Sequence, residues 1–490
     1  MVDNVQQRFV GRRGFLAGAL AAGSAVGLAA CSSDSAGSSG PPVAPEAGPP
    51  TGTIAPQSPA TPPAAVPGTG ALPPMRLFTD DTMNFDALFG LGTASYGISE
   101  AGEVLTAVNQ ANAAGAGYDS YVAAFRAMGD RLATASDAAA AAGNAVTSRD
   151  TAMRAATYYT RALFFVLGTA HPETEPDVYA SYRRAWDRGI GGPGLALGAR
   201  PAAVPLQVTY DGGTLPAWLF RPADDGVARR TVIVNNGSDA QGVELIAYGV
   251  RAALDRGWNA VVFDGPGQGE MLFVRGTSFR PDWEQVITPV VDALAGRDDV
   301  DADRIALTGW SMGGALVVRA AAYEDRLAAV VSDPGTVDPW AAFPESIRSI
   351  VNPDNPELTN TIWNDDVVPS LTPQQRFTLA KRLEIFTPDA LAAARNGTVT
   401  SDFAAAAAQL VQFDVRDAAG QIRCPVLVLD YDDEDFYPGQ PDELMGLLTT
   451  DRKDLVKLTS ADGAQMHCAP MAPVRRNEVV FDWLDEVVPA

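Results

Sequence analysis

Cysteine is scarce in this chain, with three in 490 residues, too few for a disulfide framework. Histidine is scarcer, with His171 and His467 alone. Two separated histidines offer no ligand cluster, so no metal and no cofactor are expected. Basic side chains are outnumbered: 36 Lys and Arg stand against 59 Asp and Glu, a formal net charge of -23. Such a balance argues against a nucleic-acid partner, which would require clustered cations, and reads as a solvated acidic surface. The remainder is ordinary for a globular protein, 47% hydrophobic and 19% charged. The length predicts two or three folded units plus tails.

The first thirty residues read as an address. Arg12-Arg13-Gly14-Phe15-Leu16 is a twin-arginine pattern, and an apolar Ala/Gly-rich run follows to Ala30. The run is too short for a stable membrane-spanning helix. It ends in Leu28-Ala29-Ala30-Cys31, which resembles a bacterial lipobox, where cleavage before the cysteine exposes a thiol for lipid. Residues 1–30 are therefore expected to be an export signal, and Cys31 a lipid attachment site. Residues 31–74, almost wholly Ser, Gly, Pro, Ala and Thr, lack the apolar side chains that offset chain entropy and should form a disordered tether. The expected location is the outer face of a bacterial membrane or cell envelope.

From residue 75 to about 200 the pattern is helical and predicts a cap domain. The windows Tyr121–Ala142 and Thr151–Gly168 carry apolar residues at three- and four-residue spacing, and Tyr158, Tyr159, Leu163, Phe164 and Phe165 demand a packed face. Residues 201–490 change texture. Leu206–Tyr210 and Leu215–Arg221 flank Asp211-Gly212-Gly213 as a hairpin. Thr231–Val234, Ala260–Phe263, Arg304–Thr308, Ala328–Ser332, Val426–Leu429 and Leu455–Leu458 then alternate with helical stretches, predicting a mostly parallel sheet covered on both faces. Residues 340–420 show helical character without a strand and read as an insertion over the sheet before its penultimate strand.

The chemistry gathers around Gly309-Trp310-Ser311-Met312-Gly313-Gly314, placed between a strand and a helix. This is the nucleophile-elbow pattern: small residues permit a sharp turn that lifts the serine hydroxyl above the sheet. A base is expected in a loop after the last core strand, where His467 sits; His171, before a proline in the helical region, has no evident partner. The acid is expected just past Val426–Leu429, within Asp430-Tyr431-Asp432-Asp433-Glu434-Asp435. Reach across to the histidine favours Glu434, with Asp433 and Asp435 as alternatives. The order serine, acid, histidine suits the elbow fold. An oxyanion hole would take one N–H from Met312 and another from Gly237 or Ser238, in the turn after Thr231–Val234. Cys424 starts a strand and Cys468 lies at the opposite end of the sheet, so both should be free thiols.

With Asp264-Gly265-Pro266-Gly267-Gln268-Gly269-Glu270 and Gly463-Ala464-Gln465-Met466-His467-Cys468 added, the chain resembles the α/β hydrolases related to dihydroxypseudooxynicotine hydrolase and to fungal polyketide-shortening hydrolases. The likeness runs from about Phe78 to the C-terminus. It implies an α/β-hydrolase core with an N-terminal helical cap. It also implies a serine triad able to cleave esters or carbon–carbon bonds beside a ketone. The aromatic residues of the cap suggest a small, apolar or aromatic substrate. Glu434 falls where the family's acid belongs. Two other readings are an acylaminoacyl-peptidase-like amide hydrolase and a non-catalytic binding lipoprotein on the same fold.

Overall fold

Five helices open the part of the chain that the computed structural model describes, residues 76–194 and 203–490. The signal, lipidation and tether expectations for residues 1–74 lie outside it. Helix α1 (Asp81–Gly92) starts where the Asp80 side chain accepts a hydrogen bond from the N–H of Met83, a capping arrangement that satisfies a free helix-end donor. Helices α2 (Ala101–Ala113), α3 (Tyr118–Ala141), α4 (Ala145–Phe165) and α5 (Glu175–Ile190) follow. Burial on α4 runs almost all round, including Tyr158, Tyr159, Leu163 and Phe165. That is the signature of a helix enclosed by its neighbours. The aromatic run in its last turns packs as expected, while Phe164 stays half-buried.

Eight strands form the main sheet in the order β1-β4-β6-β5-β7-β8-β9-β10. They are β1 (Ala203–Pro205), β4 (Ala217–Phe220), β5 (Arg229–Asn235), β6 (Asn259–Phe263), β7 (Val300–Trp310), β8 (Leu327–Asp333), β9 (Val426–Tyr431) and β10 (Lys453–Leu458). β1 and β4 pair antiparallel, as do β4 and β6, and the rest of the sheet is parallel. The hairpin expected around Asp211 exists as a separate two-stranded sheet of β2 (Val208–Tyr210) and β3 (Gly213–Leu215). Asp211 and Gly212 both have positive φ, 45° and 73°, as a two-residue hairpin turn requires. The single strand expected over Leu215–Arg221 is divided instead. Pro216 separates β3 from β4, which belong to different sheets. The edge strand β1, ending at Pro205, is an addition to the expected set.

Helix α6 (Gly313–Ala321) follows β7 directly. Between β8 and β9 the chain is helical without a strand; its helix α7 (Pro373–Leu383) begins with a reciprocal Thr372 and Gln375 capping box. Helix α8 (Pro473–Val487) closes the chain. Residues Arg76–Ala490 form one compact unit, in which helices and sheet share a continuous core. No helix among the described residues is long and apolar enough to cross a membrane. Cys424 and Cys468 are both free.

Candidate active site

After β5 the chain returns through β6 on one side, whereas β7 lies on the other. The loops leaving the carboxyl ends of β5 and β7 therefore diverge, and such a switch point opens a crevice for ligand. Ser311 occupies it. Its φ is 59°, a left-handed conformation that L side chains seldom adopt, and its N–H donates to the Asp333 carbonyl at 2.6 Å. The flanking glycines are needed for space. A methyl group on Gly309 would collide with the Gly313 carbonyl, and one on Gly313 would lie 2.8 Å from the Asn236 carbonyl oxygen.

His467 lies in the loop after β10, and its Nε2 is 2.9 Å from Ser311 Oγ. Its Nδ1 is 2.8 and 2.9 Å from the two carboxylate oxygens of Glu434. The pattern is that of the tautomer in which Nδ1–H donates to Glu434 and Nε2 accepts from the serine. The loops that carry acid and base are joined by backbone. Asp433 N–H donates to the Gln465 carbonyl at 2.8 Å, and Asp433 bridges Met466. This alignment points the next side chain, Glu434, at the next residue across, His467. Burial pushes the Glu434 carboxyl up; the charge and hydrogen bond of His467, with the N–H groups of Tyr437 and Phe436, outweigh it and hold the pKa below the ordinary value. Neither Asp433 nor Asp435 makes a bond to His467. Asp435 is pushed up by burial and then by the neighbouring Asp433 and Glu434 charges. His171 is exposed, with Nδ1 3.1 Å from the Glu173 carboxylate, and makes no hydrogen bond to this constellation.

The expected oxyanion turn needs one correction. The Gly237 N–H is spent on Asn236 Oδ1 at 2.8 Å, which leaves Ser238 as the candidate N–H from this turn, alongside Met312. Gly237 serves by being small: a Cβ there would lie 2.5 Å from the Trp310 carbonyl and 2.9 Å from Ser311 Cβ. Gly237→Ala is therefore expected to displace the turn and lower kcat by roughly 10²–10³-fold, with the circular dichroism spectrum unchanged. A variant that keeps full activity would show that the turn is not so closely held.

Above Ser311 is a cavity of ≈ 200 Å³. Phe85 and Phe89 of α1, Phe164 of α4, and Phe343, Phe377 and Phe386 from the stretch between β8 and β9 contribute to its wall. Trp310 stacks on Tyr248 with centroids 4.4 Å apart and meets the edge of Phe89. The Alpha/beta hydrolase family matches residues 241–479, which include the serine, acid and histidine. The chain has the α/β-hydrolase fold.

Among curated proteins, hydrolase LUC6 of Fusarium sp is 34% identical over 271 residues, 54% of this chain and 62% of that one. The 20-hydroxy-prefusarin hydrolase FUS2 of Gibberella moniliformis is 31% identical over 274 residues, with the same two coverages. The chain thus spans less than two thirds of either relative. Hydrolase ORFZ of Pyricularia oryzae is 29% identical over 444 residues, 84% of this chain and 97% of that one. The crystal structure of 2,6-dihydroxy-pseudo-oxynicotine hydrolase superposes with a TM-score of 0.54 at 23% identity, covering 75% of this chain and 88% of its own.

Sequence reasoning missed a buried charge cluster on the cavity wall. Arg161 of α4 pairs with Asp86 of α1 at 2.7 Å and with Glu244, which follows β5. Tyr121 donates to Asp86 at 2.5 Å. These residues are far apart in sequence, and nothing local marks them as partners. Burial raises the Asp86 pKa to about 6, against the opposing pull of Arg161 and Tyr121. Because the folded value lies above the unfolded one, the stabilisation linked to protonated Asp86 is complete below the unfolded value of 3.8 and is lost as pH rises through about 6. Asp86→Asn stays neutral throughout. Its melting temperature relative to the parent is expected to rise between pH 5 and pH 8; a flat difference would contradict this linkage.

Proposed function

We propose that this α/β hydrolase is a serine hydrolase, with Ser311 as nucleophile, His467 as general base and acid, and Glu434 as the group that orients the imidazole. The observation that carries the reading is the unbroken chain Ser311 Oγ to His467 Nε2 at 2.9 Å and His467 Nδ1 to Glu434 at 2.8 Å. Ser311 Oγ adds to a substrate carbonyl carbon while its proton passes to Nε2. The resulting oxyanion is held by the N–H groups of Met312 and Ser238. Collapse breaks the ester C–O bond, or the C–C bond beside a ketone, and Nε2 returns the proton to the departing oxygen or carbon. Water then attacks the acyl-serine by the same route and releases an acid. Ionised Glu434, favoured by its lowered pKa, offsets the positive charge that His467 carries in between.

The aromatic wall of the cavity supports a small apolar or aromatic substrate. The relatives' names support a hydrolase acting on a small molecule. Arg12-Arg13 and Cys31 support an exported protein held at a membrane by lipid; radiolabelled fatty acid should enter the protein in cells and be lost in Cys31→Ala. Treatment with a fluorophosphonate probe tests the chemistry. Labelling is expected at Ser311 alone, by peptide mass spectrometry, and is expected to be lost in Ser311→Ala and His467→Ala. A folded parent that takes no label would exclude an activated serine and favour a binding role.

A further inference from the structure

Among the described residues, the cationic side chains bordering the cavity are Arg161, Lys381 and Arg382. Two are already neutralised. Arg161 is held between Asp86 and Glu244, and Lys381 pairs with buried Glu384 at 2.6 Å. Arg382, from the same helix α7 as Lys381, differs. It makes no ion pair and no hydrogen bond among the described residues, and its guanidinium carbon lies 5.4 Å from the centre of the Phe436 ring. Phe436 in turn lies 4.5 Å, centre to centre, from the His467 imidazole. In a chain where most arginines are matched to carboxylates, the one left unmatched at this cavity stands one aromatic ring away from His467.

Its chemistry narrows what it could meet. A guanidinium lying against an aromatic ring is fixed in plane and keeps its forked edge free for a carboxylate. Of the anions at the cavity, Asp86 and Glu244 share Arg161 and Glu384 has Lys381; Asp239 is exposed, accepts from Ser238 Oγ at 2.7 Å and has no ion-pair partner among the described residues. A single free positive charge suits a monoanion better than a phosphate dianion, because no second cation remains to share the load.

We propose that Arg382 binds a carboxylate on the substrate, so that the preferred substrate is an aromatic or apolar ester or ketone carrying a carboxylate away from the carbonyl that Ser311 attacks. This rests on the serine-hydrolase reading and deepens it. Arg382 takes no part in proton transfer; it is a specificity-determining residue that holds one end of the molecule.

Boronic acids that add reversibly to an activated serine provide the test, read as protection of Ser311 from the fluorophosphonate label in the full-length protein. In the parent, 3-carboxyphenylboronic acid is expected to protect at a concentration roughly ten- to hundredfold lower than phenylboronic acid. In Arg382→Met the two are expected to protect equally, and Arg382→Lys should restore part of the preference. The preference should also shrink as salt is raised. Unmodified labelling by the probe alone in Arg382→Met would show that the site is intact. Equal protection in the parent, or a preference that survives in Arg382→Met, would overturn the carboxylate assignment and leave the serine reading standing. Failure of the parent to take the label would overturn both.

Discussion

Ser311→Ala is expected to lower kcat by about 10⁴–10⁶-fold while leaving the folded structure in place. The serine side chain supports no part of the fold that alanine cannot. Its backbone is held by the bond from its N–H to the Asp333 carbonyl and by the closely packed glycines on either side. His467→Ala is expected to cost nearly as much, because without a proton acceptor at Nε2 the hydroxyl remains a poor nucleophile. The double variant should be scarcely worse than either single one, since the two side chains act in one step. Steady-state kinetics on an activated aryl ester would show this. Near-additive losses would mean that the 2.9 Å contact is not used in the reaction.

The second large effect is on stability. At the end of β8, buried Asp333 holds several elements together: one carboxylate oxygen accepts from Tyr431 of β9, and the other accepts from Arg476 Nε of α8 at 2.7 Å. Arg476 also donates to the Tyr248 carbonyl at 3.0 Å. Both ends of the pair are sealed from solvent, with side-chain exposures of 1% and 0%. Arg476→Met would leave a buried carboxylate without its cation, and is expected to cost about 3–5 kcal/mol. Urea denaturation should show the midpoint falling at constant slope. Asp333→Asn combined with Arg476→Met should recover part of the loss, because the uncompensated charge is gone. If the double variant is worse by the full sum, hydrogen-bond geometry and not charge sets the cost.

The sequence marks Ser311 and His467 clearly because each is signalled locally. Gly309 to Gly314 announces a sharp turn, and His467 is one of only two histidines. Glu434 was harder to single out from its acidic run. Its selection depends on the distance past β9, and the bridge from Asp433 to Met466 supplies the physical reason that this spacing works. Strand interiors are legible where burial on both faces makes a continuous apolar run, as in β5 and β6. The short edge strand β1 and the break at Pro216 are not, because pairing partners rather than composition decide them. Arg161, Asp86 and Glu244 escape for the same reason: each is an ordinary charged residue until the fold closes. Between Gly237 and Ser238 as the N–H donor the sequence does not choose; the position of the Asn236 side chain, which takes the Gly237 N–H, favours Ser238.

The cavity is built from two parts of the chain. The stretch matched by the family begins at residue 241 and holds Ser311, Glu434 and His467. Phe85, Phe89, Arg161 and Phe164 face the same cavity from helices that precede it in the chain. On the serine-hydrolase reading, mutations that drift through α1 and α4 would reshape which molecule fits while sparing Ser311, His467 and Glu434. New substrates could then be tried without first dismantling the triad. Exchange of the segment around residues 76–190 between relatives should carry substrate preference with it, provided that Glu244 meets a matching arginine in the incoming α4.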